Sequence, residues 1–328
     1  MPDRSGEYTG MKDMSGKLWI LCLVFGIILS ISSVSASTGT GAGQENGNIA
    51  NVSGTPSPGT DAVTWQKVYT MLFWTWGANS ISQTPDGGYI IGGDGTKYDL
   101  RTRTSVQRAV IVKLDPNGGM QWMKSYGGRA KTFCKSVRPT PDGGYIIAQF
   151  GQENGMGWMF LIKTDAAGTV QWRKKVGTNE PIELRVTRDG GYAILFGVWV
   201  EGKEQQMVLL KTDSNGVKQW MKLYGGPGIN QPYSFEQTSD GGFIILGDSG
   251  RPMVKMYLVK TGDKGAVAWQ KIIGNENVHH YGRSIVQTAD GGYAITGEIT
   301  GNPGGIAVIK TGPAGGIKWQ KSYPLSVG

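Results

Sequence analysis

The sequence predicts an all-β fold, a β-propeller of four-stranded antiparallel blades, and three observations carry that expectation. A tryptophan recurs at Trp122, Trp172, Trp220, Trp269 and Trp319, at spacings of 50, 48, 49 and 50, which is the self-similarity of a repeat architecture. An Asp-Gly-Gly turn recurs once per unit, beginning at Asp86, Asp142, Asp189, Asp240 and Asp290. Between these markers the chain shows period-two alternation and no helical period. Four short strands in roughly 50 residues describe a propeller blade rather than a helical solenoid.

The second unit shows the elements in order. Its four strand segments are Ser136 to Thr140, Tyr145 to Phe150, Met159 to Lys163 and Val170 to Val176. Pro141-Asp142-Gly143-Gly144 joins the first pair: Asp supports a type I turn and Gly supplies the left-handed residue, which closes a hairpin. Asp165-Ala166-Ala167-Gly168 closes the second hairpin, with counterparts at Asp115 to Gly118, Asp213 to Gly216, Gly262 to Gly265 and Gly312 to Gly315. In the last strand Trp172, Lys174 and Val176 share a face. The tryptophan is expected to wedge between blades, and the lysine to blunt pairing at the outer edge. Five Asp-Gly-Gly hairpins predict five blades. A sixth tryptophan strand, Trp65-Gln66-Lys67-Val68-Tyr69, matches Trp319-Gln320-Lys321-Ser322-Tyr323 and keeps open the alternative of six blades, one incomplete.

With Tyr145-Ile146-Ile147 after its turn, and Leu161-Ile162-Lys163-Thr164-Asp165 followed by Gly168 and Trp172, the chain resembles a family of exported bacterial and archaeal repeat proteins similar to quinoprotein-like β-propellers. The likeness spans residues 65 to 323. The Asp165, Gly168, Trp172 spacing is similar to the tryptophan-docking motif of quinoprotein dehydrogenases, with a turn one residue shorter and with Gly262 and Gly312 replacing Asp in the last two copies. The resemblance implies a propeller and a surface location. It implies no catalytic residue.

Composition narrows the remaining classes. Fifty-three glycines without a three-residue period, alongside plentiful aromatics, fit frequent tight turns and not collagen or disorder. The net charge of +8 invites nucleic acid as a partner. Eleven lysines, however, are repeat positions: Lys113, Lys163, Lys211, Lys260 and Lys310, and Lys67, Lys124, Lys174, Lys222, Lys271 and Lys321. They read as evenly solvated charge spread around the body, not as a phosphate-tracking stripe, so no nucleic-acid partner is expected. Cys134 is the lone cysteine of the body, since Cys22 lies in an apolar N-terminal run.

Residues 1–36 read as a signal peptide: a basic end at Lys17, an apolar run from Leu18 to Leu29 and a small-residue exit, Val34-Ser35-Ala36. The alternative is an uncleaved membrane anchor, for which the run is short. Residues 37–62 read as a flexible linker, with one glycosylation-type sequon at Asn51, and residues 63–328 as the propeller. The expected location is secreted or on the cell surface.

In an up-and-down blade the two repeated hairpin turns lie on one face of the disc and the variable loops on the other, and variable loops on a constant scaffold are the place for recognition. The longest is Asp94 to Gln107, with Lys97, Tyr98, Asp99, Arg101 and Arg103. Trp74, Trp76, Trp158, Trp199, Glu201, Tyr233, His280 and Tyr281 fall on the same face. Tyr98, Arg101, Arg103, Trp158, Trp199, Glu201, Tyr233, His280 and Tyr281 are the ligand-binding candidates, with a glycan or a surface protein as partner. Catalytic inventory is thin. The only histidines, His279 and His280, are adjacent and project to opposite sides of an extended chain, so they cannot share one metal. Glu180, Glu183 or Glu201 could supply paired carboxylates for glycoside hydrolysis, and the Asp-Gly-Gly aspartates could hold calcium but need no ion to serve as turn residues. The expected function is a non-enzymatic binding module without metal or cofactor. The alternative is an exported carbohydrate-active or quinone-dependent enzyme.

Overall fold

The computed structural model describes residues 74–99, 104–128, 130–202, 204–226, 228–250, 253–301 and 304–324. The signal segment, the linker and the Trp65 to Tyr69 strand lie outside them. The described chain forms twenty strands in five four-stranded antiparallel sheets, each a meander in sequence order, which is the five-bladed propeller that the repeat predicts.

The first blade comprises β1 (Trp74–Gln83), β2 (Tyr89–Asp99), β3 (Thr104–Leu114) and β4 (Met120–Tyr126). The second has β5 (Lys131–Pro139), β6 (Tyr145–Glu153), β7 (Met156–Thr164) and β8 (Val170–Gly177). The third has β9 (Pro181–Val186), β10 (Tyr192–Val200), β11 (Glu204–Thr212) and β12 (Lys218–Tyr224). The fourth has β13 (Pro232–Gln237), β14 (Phe243–Ser249), β15 (Lys255–Thr261) and β16 (Val267–Ile273). The fifth has β17 (His280–Gln287), β18 (Tyr293–Ile299), β19 (Gly305–Thr311) and β20 (Ile317–Pro324). Consecutive blades pack face to face, and the first strands of neighbouring blades lie against one another.

The core lies between blades. At the first interface Ile90, Ile111 and Tyr126 of one blade meet Tyr145, Ile147 and Ile162 of the next, and the same alternation is repeated at the following three. The tryptophans wedge where the sequence placed them. Trp122 meets Tyr145 at 5.8 Å between ring centroids, Trp172 meets Tyr192 at 6.1 Å, Trp220 meets Phe243 at 5.8 Å and Trp269 meets Tyr293 at 5.9 Å. The turn glycine of the next blade sits on each: a Cβ at Gly168, where φ is +75°, would be 2.9 Å from the Trp122 ring. The Tyr126 and Tyr224 hydroxyls donate to Gly168 O and Gly265 O at 2.8 and 2.9 Å.

The repeat lysines of the third strands correct the sequence reading. They are not solvated: Lys113, Lys163, Lys211 and Lys260 are 3–6% exposed. Each reaches back along the sheet to its own Asp-Gly-Gly aspartate, Lys163 Nζ to Asp142 Oδ2 at 2.7 Å and Lys211 Nζ to Asp189 Oδ2 at 2.7 Å, and donates to the carbonyl of the following residue. Lys310 makes the same pair with Asp290 in the fifth blade. A buried ammonium needs a charged acceptor, and the turn supplies one. The second turn glycine follows from this arrangement, because a Cβ on Gly144 would lie 2.1 Å from Thr164 O and 2.6 Å from Lys163 Nζ. Of the outer-strand lysines, Lys222, Lys271 and Lys321 stand exposed and Lys124 and Lys174 are half-buried; Lys124, Lys174 and Lys321 lie beside the tryptophan rings of their own strands.

The stretch from Asp94 to Gln107 is a second correction. It is an extension of the β2–β3 hairpin and not a long loop, with Lys97 opposite Val106, Tyr98 opposite Ser105 and Asp99 opposite Thr104. Its extra residues lengthen both strands, whose pairing continues to Asp99 and Thr104.

Candidate functional site

Each blade's first strand carries an irregularity at an equivalent place. The register against the second strand skips Asn79, Lys135, Ile182, Tyr233 and Arg283 in turn. A β-bulge bends its strand and re-aims the extra side chain. Ile182, Tyr233 and Arg283 lie toward the variable-loop end of their strands, and Asn79 and Lys135 near the middle of longer ones. Asn79 donates to Asp94 Oδ1 at 2.8 Å and to Cys134 O at 2.9 Å. Lys135 pairs with Glu180 at 2.5 Å and lies over the Phe133 ring.

In the fourth and fifth blades the bulged residues converge. The Arg283 guanidinium lies 5.2 Å from the centroid of the Tyr233 ring and 5.8 Å from that of Tyr281. It grips Glu298 with two hydrogen bonds, Nε to Oε1 at 3.0 Å and Nη2 to Oε2 at 3.1 Å, the bidentate geometry that suits a planar guanidinium. His279 stacks on Tyr281 at 5.8 Å, and its Nδ1 accepts the Val254 amide. Below them Asp248 is buried and accepts the Gly282 amide at 2.9 Å. Burial pushes the Asp248 carboxyl up to about 7 against the opposing pull of the Gly282 amide, the Tyr233 hydroxyl and the Arg283 charge. Burial likewise raises the Tyr233 phenol above its ordinary range, and the nearby Asp248 charge adds to it.

The cluster therefore offers two tyrosine faces, a guanidinium and an ion-paired carboxylate at a half-exposed patch, with a carboxyl that titrates near neutrality beneath it. Perturbed titration joined to specific charge partners is a feature that functional sites share with structural ion-pair networks.

Of the candidates from sequence, Tyr233 and Tyr281 belong to this cluster, and His280 flanks it with its ring buried. Trp199 stands 70% exposed on the third blade near the exposed turn residue Glu201, and Trp158 lies on the second blade beside Lys175. Tyr98 is part of β2; Arg101 and Arg103 lie outside the described residues. Asp248, Arg283 and Glu298 were missed. The signal that could have found the two carboxylates is an acidic residue five positions after the Asp-Gly-Gly tyrosine or phenylalanine, at Asp94, Asp248 and Glu298.

The three glutamates considered for a carboxylate pair have different surroundings. Glu180 is bound to Lys135, and Glu201 is exposed in a turn. Glu183 is held between Arg138 and Arg185 and accepts from Ser234 Oγ and the Phe235 amide. Among the described residues no group of three or more potential ligands forms a metal cluster, and the turn aspartates are engaged by lysines. Cys134 is buried, and burial pushes its thiol up to about 12.

No family model and no curated protein matches this chain. Solved structures do. A protein of unknown function from Dyadobacter fermentans is similar over 77% of this chain and 84% of its own, at 11% identity and a TM-score of 0.50. The Dos1 propeller is similar over 76% and 74%, at 8% identity and a TM-score of 0.49. A member of the DUF4221 family from Bacteroides vulgatus is similar over 75% and 82%, at 12% identity and a TM-score of 0.44. The likeness is one of fold alone.

Proposed function

We propose that this protein is an exported, surface-located propeller that binds an oligosaccharide through the Tyr233, Asp248, Tyr281, Arg283 and Glu298 cluster on its variable-loop rim. The observation that supports it is the convergence of two bulged strands, which sets two tyrosine rings and a bidentate Arg283–Glu298 pair over Asp248. A sugar ring presents an apolar face that packs on tyrosine and a rim of hydroxyls that exchange hydrogen bonds with guanidinium and carboxylate. Residues 1–36, with their signal-peptide pattern, and the resemblance to exported quinoprotein-like repeat proteins support the location.

A second reading has its own observation. Asp248, pushed up to about 7 by its burial, lies close to the Glu298 carboxylate, and glycoside hydrolysis uses a pair of carboxyls as acid and base. The two readings separate in one experiment. The melting temperature of the full chain is followed against cell-surface oligosaccharides and pyrroloquinoline quinone, with reducing-sugar release assayed in parallel. A ligand that binds only the folded state stabilises it by ~2.7 kcal/mol at a hundred times its dissociation constant. An oligosaccharide shift that disappears in Tyr281→Ala, without sugar release, is the expected result. Release that is abolished in Asp248→Asn moves the protein to the hydrolase reading. A shift with the quinone alone, or an oligosaccharide shift untouched by Tyr281→Ala, overturns the proposal.

A further inference from the structure

The first strands of the blades carry charges that the repeat does not require. Each Asp-Gly-Gly turn is preceded by a threonine, at Thr84, Thr140, Thr187, Thr238 and Thr288. The residue four positions before it is serine in four blades, Ser80, Ser136, Ser234 and Ser284, and Glu183 in the third. The residue two positions before it is Ser82, Arg138, Arg185, Glu236 and Val286 in turn. Residues two apart on a strand share a face. Two arginines and a glutamate therefore meet on β5 and β9, the first strands of the second and third blades, which pack on each other.

The three charges do not balance. One Glu183 oxygen accepts from Ser234 Oγ at 3.2 Å and from the Phe235 amide at 3.0 Å, across the boundary with the fourth blade. The other lies 2.5 Å from Arg185 Nη2 and 3.5 Å from Arg138 Nη2, the second distance being at the limit of a hydrogen bond. Arg138, with its side chain only 14% exposed, donates from Nη1 to neutral acceptors: Ser80 Oγ at 2.9 Å, Ser82 Oγ at 3.2 Å and Val137 O at 2.9 Å. One carboxylate thus serves two guanidiniums and leaves a positive charge uncompensated. Burial and the neighbouring Arg185 charge pull the Arg138 guanidinium down to about 10, and Glu183 offsets them only in part.

Donors are left over as well. Among the described residues, three of the four buried side-chain polar atoms without a hydrogen-bond partner are Ser136 Oγ, Arg138 Nε and Arg185 Nε. All three belong to β5 and β9 and to the two positions compared above. The counterparts of Ser136 do find partners, since Ser80 Oγ accepts the Val137 amide at 3.2 Å and Glu183 that of Phe235. Buried donors without an acceptor are costly and rare. An oxyanion would answer both the excess charge and the unpaired donors.

We propose that Ser136, Arg138 and Arg185 form a binding site for a small carboxylate between the first strands of the second and third blades. A guanidinium recognises carboxylate and phosphate alike, and charge selects between them. A monoanion neutralises the two arginines and Glu183, whereas a phosphate dianion sets a further negative charge against Glu183. Arg185 is the more exposed of the two arginines and gives access from solvent. The site owes nothing to the Tyr233 and Tyr281 cluster.

NMR of the full chain with isotope-labelled arginine tests it. The arginine Nε–Hε signals are followed as acetate, glucuronate, phosphate and sulfate are added at constant ionic strength, with chloride as reference. Acetate is expected to move two of these signals saturably and leave the others in place. One of the two disappears in Arg185→Gln, and the remaining one responds with an affinity about tenfold lower, because a charge-assisted hydrogen bond is lost. Arg185→Lys, which keeps the charge without the planar fork, weakens binding too. Glucuronate bound as well as acetate supports the site and makes an acidic sugar the carrier of the carboxylate; acetate bound alone supports it with a free acid as ligand. Tighter binding of phosphate or sulfate than of acetate overturns the proposal. So does a spectrum in which no signal moves saturably, or in which Arg185→Gln leaves the acetate affinity unchanged.

Discussion

On the repeat-turn rim every aspartate of an Asp-Gly-Gly turn is tied to a lysine of its own blade, whereas on the variable rim the bulged residue is asparagine, lysine, isoleucine, tyrosine or arginine and finds a different partner in almost every blade. The same strands connect both rims. The first rim solves one problem five times: it pairs a lysine, buried in four of the blades, and closes a hairpin in the smallest space. The second uses the one position at which the ladder is interrupted, so a side chain there is free of the core pattern. A repeat can diverge where its copies do not have to pack alike, and this is where two neighbouring blades gather Asp248, Arg283 and Glu298.

The largest break in this comparison is at the rigid rim. Gly144→Ala forces a methyl group to 2.1 Å from a backbone carbonyl that cannot move without breaking the sheet. It is expected to cost about 3 kcal/mol in urea denaturation. A loss below ~1 kcal/mol would show that the turn relaxes and that the packing argument is wrong.

Titration sharpens the contrast, because the two rims respond in opposite directions. Asp86 is held at about 2 by Lys113. For Asp142 and Asp240 partial burial pushes upward and is outweighed by Lys163 and Lys260, leaving both at about 2. These folded-state values lie below that of the unfolded chain, ~3.9. Their stabilisation is therefore present above about pH 4 and is lost as the pH falls toward 2. Asp248, at about 7, lies above its unfolded value, so the folded state holds the extra proton between about pH 4 and 7. Stability falls as the pH rises through that window and levels off beyond it. Asp248→Asn is expected to gain in melting temperature on the parent between about pH 5 and pH 8 and to leave the acid transition unchanged. A difference between the two proteins that does not vary with pH would remove the argument that Asp248 titrates there.

The smallest effect is expected on the variable rim away from the cluster. Trp199→Ser, at a side chain that stands mostly in solvent, should change stability by no more than ~0.5 kcal/mol in the same denaturation experiment. A larger loss would mean that this rim, too, is part of the packed scaffold.

What the sequence by itself determined is what repeats. The period of the tryptophans, the Asp-Gly-Gly turns and the alternating strands led to five four-stranded blades and to the wedge between them, because each of these is a local pattern selected again in every copy. The partners of the repeat lysines were not legible, since the Asp142–Lys163 pair joins two strands 21 residues apart through a turn that makes equal sense without it. Nor was the site. Tyr233 and Tyr281 could be placed on the right rim as variable residues, but Asp248, Arg283 and Glu298 come from three strands of two blades and are brought together by bulges that no residue type announces. Only the tertiary structure could decide that Glu183 is locked between two arginines while Asp248 is left to titrate, because burial and charge partners belong to the packed blades and not to the chain.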